Sequence, residues 1–135
     1  MDCVLTSFAH AINYTTDELI KYIGHDGTEI LDHKLEPPYC YRGFSVFELS
    51  KVLYDLGWST TWINKYACVY NCMMDEPKFD TSFDLVEKYL DQPRYCLSSD
   101  DHMIGVRFGI VLDLKDQLTD PKKFNYNVIY LINKI

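Results

Sequence analysis

His102-Met103-Ile104-Gly105-Val106-Arg107-Phe108-Gly109-Ile110-Val111-Leu112-Asp113 holds two apolar runs hinged on Phe108-Gly109, the pattern of a β-hairpin. With Phe108 and Gly109 as a two-residue turn, Asp113 lies opposite Ile104, and His102 stands two residues further along the same strand. His102 and Asp113 then share a face as diagonal neighbours, roughly 7–8 Å apart at Cα, a gap that an imidazole and a carboxylate can bridge. Such a carboxylate orients the ring, holds a proton on the near nitrogen and leaves the far nitrogen as a base. Tyr95 to Leu97 and Asn127 to Ile132 are further short β-rich runs, so the C-terminal part reads as an antiparallel sheet.

Upstream of the sheet the apolar period is that of helices. Asp2 is a favoured N-cap type, and Leu5, Phe8, Ala9 and Ile12 recur at three- and four-residue spacing behind it. Thr15 with Glu18, and Ser45 with Glu48, have the spacing of capping boxes and open two more helices, which stop at Gly24 and Gly57. His25 to Gly43 loses periodicity and reads as a long surface loop. Trp58 to Ile63 reads as a strand and Cys68 to Phe79 as an irregular segment. A helix capped within Asp80-Thr81-Ser82 would carry Phe83, Leu85, Val86, Tyr89 and Leu90 as far as Pro93. Helices first and sheet afterwards is the order of an α+β fold.

Cys3 falls in the first turn of the first helix, where the dipole and the unpaired amides favour a thiolate and offer donors to an oxyanion. His10 cannot serve it as a base, because seven helical residues rise roughly 10 Å. His102, oriented by Asp113, is the candidate that the hairpin supplies. Plainer roles stand beside these: a small buried hydrophobe for Cys3, an exposed strand-start residue for His102 and a polar strand end for Asp113. His10, His25 and His33 have no comparable partner spacing and read as surface or core residues.

Composition narrows the classes. A chain of 135 residues suits one domain spanning 1–135, and 47% hydrophobic residues, with eleven Tyr and seven Phe, suit a packed core. Thirteen basic against twenty acidic residues give a net charge of −7 without a basic cluster, which argues against nucleic acid. The short N-terminal apolar run carries Asp2 and His10 and lacks a basic leader, so neither a signal peptide nor a membrane span is read, and a cytoplasmic location is expected. Five cysteines at irregular spacing fit reduced thiols. Cys68 and Cys72 lie four apart with no second ligand pair, so neither a metal nor a cofactor is expected.

Taken together, Asp2-Cys3 opening an apolar helix, Thr15 to Ile23 as a second, Gly43-Phe44-Ser45 starting a third, and His102-Met103-Ile104-Gly105-Val106 with Asp113 resemble papain-like cysteine peptidases. The C39-like group is the branch resembled, which includes the peptidase domains of bacteriocin-processing transporters and related phage and bacterial proteins. The resemblance implies N-terminal helices packed on a C-terminal antiparallel sheet, Cys3 as nucleophile, His102 as general base and Asp113 as its orienting carboxylate. It further implies a peptide or protein substrate cut through an acyl-enzyme, typically after small residues. Two positions depart from the pattern. Members usually carry a Gln a few residues before the nucleophile as an oxyanion donor, where this chain has Met1 and Asp2, and many have Gly where Val4 stands. The Met1 α-amino group is one candidate substitute for that donor. The absent Gln also fits a catalytically silent relative that binds a peptide or protein, with Tyr39, Tyr41, Tyr66 and Tyr70 available to an interface.

Overall fold

The computed structural model describes residues 2–64, 68–71, 78–79 and 89–135, the segments 68–71 and 78–79 by their backbone alone. Among these residues three helices lead: α1 (Cys3–Ile12), α2 (Thr16–Ile23) and α3 (Val46–Asp55). Seven strands follow among them: β1 (Trp58–Asn64), β2 (Cys68–Asn71), β3 (Lys78–Phe79), β4 (Arg94–Ser98), β5 (Met103–Arg107), β6 (Ile110–Leu112) and β7 (Val128–Lys134). Among the described residues no helix is long and apolar enough to cross a membrane.

The helix ends follow from their capping residues. Asp2 Oδ1 accepts the Val4 and Leu5 amides at 2.8 and 3.3 Å, and Asn13, in the left-handed region at φ 61°, closes α1. Thr15 and Glu18 form a complete capping box on α2. The expected box on α3 is half formed. Ser45 Oγ accepts the Glu48 amide at 3.1 Å, but the Glu48 carboxylate turns away to His25 and Arg42 instead of back to Ser45.

All strand pairings are antiparallel, in the order β3-β2-β1-β7-β4-β5-β6, with the last strand in sequence at the centre. Side chains alternate between two faces. Cys96, Met103, Tyr130 and Ile132 point to the helices and share a core with Phe8, Leu19, Leu49 and Leu53. Tyr95, Leu97, Ile104, Val106, Ile129 and Leu131 form a second core on the opposite face, edged by Leu118, Phe124 and Tyr126. Two expectations change. The irregular segment from Cys68 holds β2 and β3: β2 pairs with β1 (Ile63 opposite Val69) and β3 with β2 (Val69 opposite Lys78), and this pairing supplies a regularity that their own alternation does not. Residues 80–88 of the helix expected before Pro93 lie outside the described residues, and Tyr89–Asp91 form a 3-10 turn.

Two local features fix the sheet against α1. The β5–β6 turn is Phe108-Gly109 at φ 48° and 79°, both positive as a type I′ turn requires, with Arg107 opposite Ile110 and Gly105 opposite Leu112. Phe108 tolerates this conformation while its amide donates to the Pro93 carbonyl at 2.6 Å and its ring lies 4.7 Å from the Arg94 guanidinium. At Gly105 a Cβ would stand 2.6 Å from the Ser7 carbonyl oxygen, so the backbones of β5 and α1 touch only because that side chain is missing. This close approach sets the start of α1 beside the start of β5.

Candidate active site

Cys3 opens α1 and is half-buried. The Met103 amide at the start of β5 faces its thiol, as do the amides of Cys3 and Val4, and all three favour the thiolate. Burial acts the other way and is the largest influence, reinforced by the neighbouring charge of Asp2. The net effect raises the Cys3 thiol above its ordinary value, which corrects the expectation of a thiolate-favouring helix start. Position on a helix supplies the amides, but desolvation outweighs them. Cys40 and Cys96 are free and buried, and burial pushes the Cys96 thiol far up. The Cys72 position and the Cys68 side chain lie outside the described residues.

One residue before Met103, His102 is buried and its Nε2 lies 2.7 Å from Asp113 Oδ1. Asp113 stands just past β6 in the register that the Phe108-Gly109 turn dictates. Its carboxylate also accepts the amides of Lys115 at 3.0 Å, Asp116 at 3.2 Å and Leu118 at 3.1 Å. Burial works to raise the Asp113 carboxyl, but the His102 ring and these three amides prevail and hold it down to about 2. A charged carboxylate accepts only, so Nε2 carries a proton, and in the neutral ring Nδ1 is the nitrogen with the lone pair. Among the described residues Nδ1 has no hydrogen-bond partner, and no hydrogen bond joins His102 to Cys3. The Phe124 ring, 6.0 Å away and edge-on, packs against the imidazole. His102 is therefore not the exposed strand-start residue of the plainer reading.

The amide cage around Asp113 has a signal in sequence, an Asp that closes a strand and bonds amides two and three residues on, as Asx turns do. The close approach at Gly105 has none. Nor does a second histidine–carboxylate pair, His25 with Glu48, which the spacing of His25 did not suggest. His10 is also engaged, its Nε2 donating to the Ile110 carbonyl at 2.9 Å and pinning α1 to β6. The exposed Tyr39 and Tyr41 lie on the long loop, while Tyr66 and the Tyr70 side chain fall outside the described residues, as does Met1 with its α-amino group.

No family model, curated protein or solved structure matches the chain. The case for a function rests on the geometry.

Proposed function

We propose that the chain is a cysteine peptidase of papain-like fold, cleaving a peptide or isopeptide bond with Cys3 as nucleophile, His102 as general base and Asp113 as the carboxylate that orients it. The observation that carries this reading is the buried His102–Asp113 bond of 2.7 Å, which leaves Nδ1 without a partner among the described residues, one residue from the amide that faces the Cys3 thiol. Burial favours the protonated thiol, so Cys3 gives up its proton as it attacks. As Cys3 Sγ attacks the carbonyl carbon, the S–H proton passes to His102 Nδ1 and then to the leaving amine, giving a thioester. Water attacks the thioester, yields its proton to Nδ1, and the acid departs as the thiol is restored. Asp2 takes the Val4 and Leu5 amides, so the Cys3 amide is the helix-terminal donor left for the oxyanion.

A second reading has its own support. The raised Cys3 thiol and the anionic Asp2 beside it suit a silent member of the same fold that holds a peptide or protein without cutting it. Alkylation by iodoacetamide, mapped to each cysteine by mass spectrometry, separates the two. The peptidase reading expects Cys3 to be slowed at pH 7 by about 10²-fold in His102→Ala, within the range of general-base assistance. A Cys3 rate indifferent to His102 would sink the peptidase reading and leave the binding one.

A further inference from the structure

A cavity of about 330 Å³ opens beside the start of α1, walled by Pro38, Tyr41 and Phe44 and edged by Asp2, Asp26 and Thr28. Its volume sits at the lower end of the range for ligand pockets, about 300–1,000 Å³. The walls are held in place. The Phe44 ring stacks on His25 at 5.0 Å, and its amide donates to Asp2 Oδ2 at 3.0 Å. The two arms of the loop are joined by Gly43 to Gly27 (2.9 Å), Arg42 to Glu29 (2.7 Å) and Leu31 to Cys40 (2.8 Å) backbone bonds. At Gly27 a Cβ would come within 2.9 Å of the Phe44 ring, so the floor is built around a missing side chain.

The polar content of this cavity is one-sided. Asp26 Oδ1 accepts the amide and the hydroxyl of Thr28, which leaves Oδ2 without a partner among the described residues. Asp2 satisfies its oxygens with backbone amides and stays unpaired with any Lys, Arg or His side chain among them. Aromatic faces with carboxylates at the rim that form no ion pair with a Lys or Arg among the described residues are complementary to a cation on an aliphatic stem, which packs its methylenes on the rings and brings its charge to Asp26. We propose that this pocket takes a lysine or arginine side chain of a peptide laid across the start of α1. Its part in substrate selection rests on the peptidase reading of Cys3; its binding of the cation does not.

The test is an NMR titration of the whole chain with N-acetyl-arginine amide and with its uncharged counterpart, N-acetyl-norleucine amide, in the wild type and in Asp26→Asn. Asparagine keeps an acceptor for Thr28, so the variant removes charge and leaves the turn. The expected result is saturable shifts at the Gly27, Thr28, Gly43 and Phe44 amides with the arginine probe alone, weakened about tenfold in Asp26→Asn. Absence of those shifts, or equal shifts from the two probes in the wild type, overturns the proposal without reliance on any variant. Equal shifts from norleucine amide with a free α-amine would overturn the assignment to a side chain. Arginine binding with a Cys3 that ignores His102 would uphold the pocket and remove the peptidase.

Discussion

Among the described residues two histidine–carboxylate pairs form, and they are built for different ends. In the pair of β5 and β6, the His102 and Asp113 side chains are 7% and 1% exposed, and one imidazole nitrogen is left open. In the pair between the long loop and α3, the His25 and Glu48 side chains are 16% and 25% exposed, and neither ring nitrogen is spare: Nδ1 accepts the Gly27 amide at 3.0 Å and Nε2 donates to Glu48. Glu48 divides itself further with Arg42, whose other arm reaches Glu29 at 3.3 Å. A histidine whose two nitrogens are both engaged fastens a loop, whereas one with an oriented ring and a free lone pair can move a proton. The contact with a carboxylate is common to both and distinguishes nothing. The other nitrogen does.

The largest expected effect tests that distinction. His102→Ala should slow Cys3 alkylation at pH 7 by about 10²-fold, and His25→Ala should leave it within about twofold while lowering the melting temperature. Equal slowing in the two variants, read by mass spectrometry, would mean that the open nitrogen is irrelevant. Gly105→Ala attacks the setting of the first pair alone. Its Cβ must displace the Ser7 backbone, and overpacking of this kind costs about 1–3 kcal/mol in chemical denaturation. With α1 shifted, the dependence of Cys3 on His102 should shrink, while the His25 ring, whose bonds lie elsewhere, keeps its NMR signature.

Much of this contrast could be read from sequence on one side and little on the other. Phe108-Gly109 fixes the register of β5 and β6, and register fixes which residues can meet, so His102 and Asp113 follow from a local rule. Asp2, Thr15 and Gly24 likewise mark helix ends that obey nearest-neighbour chemistry. His25 and Glu48 are joined across the loop that precedes α3, and Glu48 carries a stronger local signal, the capping spacing from Ser45, which its side chain does not follow. The Cys3 thiol departs from the helix-start expectation for a related reason. Helix position is visible in sequence, but the burial that dominates is a property of β5 and α1 together.

Asp113→Asn sharpens the comparison through pH. The Asp113 carboxyl is lower in the folded chain, about 2, than the ordinary unfolded carboxyl, so its stabilisation is fully present above the unfolded value near 4 and lost as pH falls towards 2. The variant should cost about 2–3 kcal/mol at pH 7, and because its amide sets a donor against the Leu118 N–H, a residue of that cost should survive at pH 2. Glu48→Gln, on a partly exposed pair, should cost about 1 kcal/mol at pH 7. A Glu48→Gln cost equal to that of Asp113→Asn in urea titrations would erase the energetic difference between the pairs.

The smallest expected effect concerns the residue nearest the sulfur. Asp2 does two things at once: its oxygens cap α1 and hold the Phe44 amide, and its charge pushes the Cys3 thiol up. Asp2→Asn separates them, since an asparagine oxygen can still accept the Val4 amide. The thiol should titrate lower and alkylate faster at a given neutral pH, with a stability loss of about 1 kcal/mol or less from the weakened Phe44 contact. The direction is the informative part. A faster Cys3 in Asp2→Asn that still slows on adding His102→Ala means that the carboxylate restrains a nucleophile that the histidine assists. If Asp2→Asn instead slows Cys3, the aspartate's hold on the helix start outweighs its field, and the amides facing the sulfur depend on that hold.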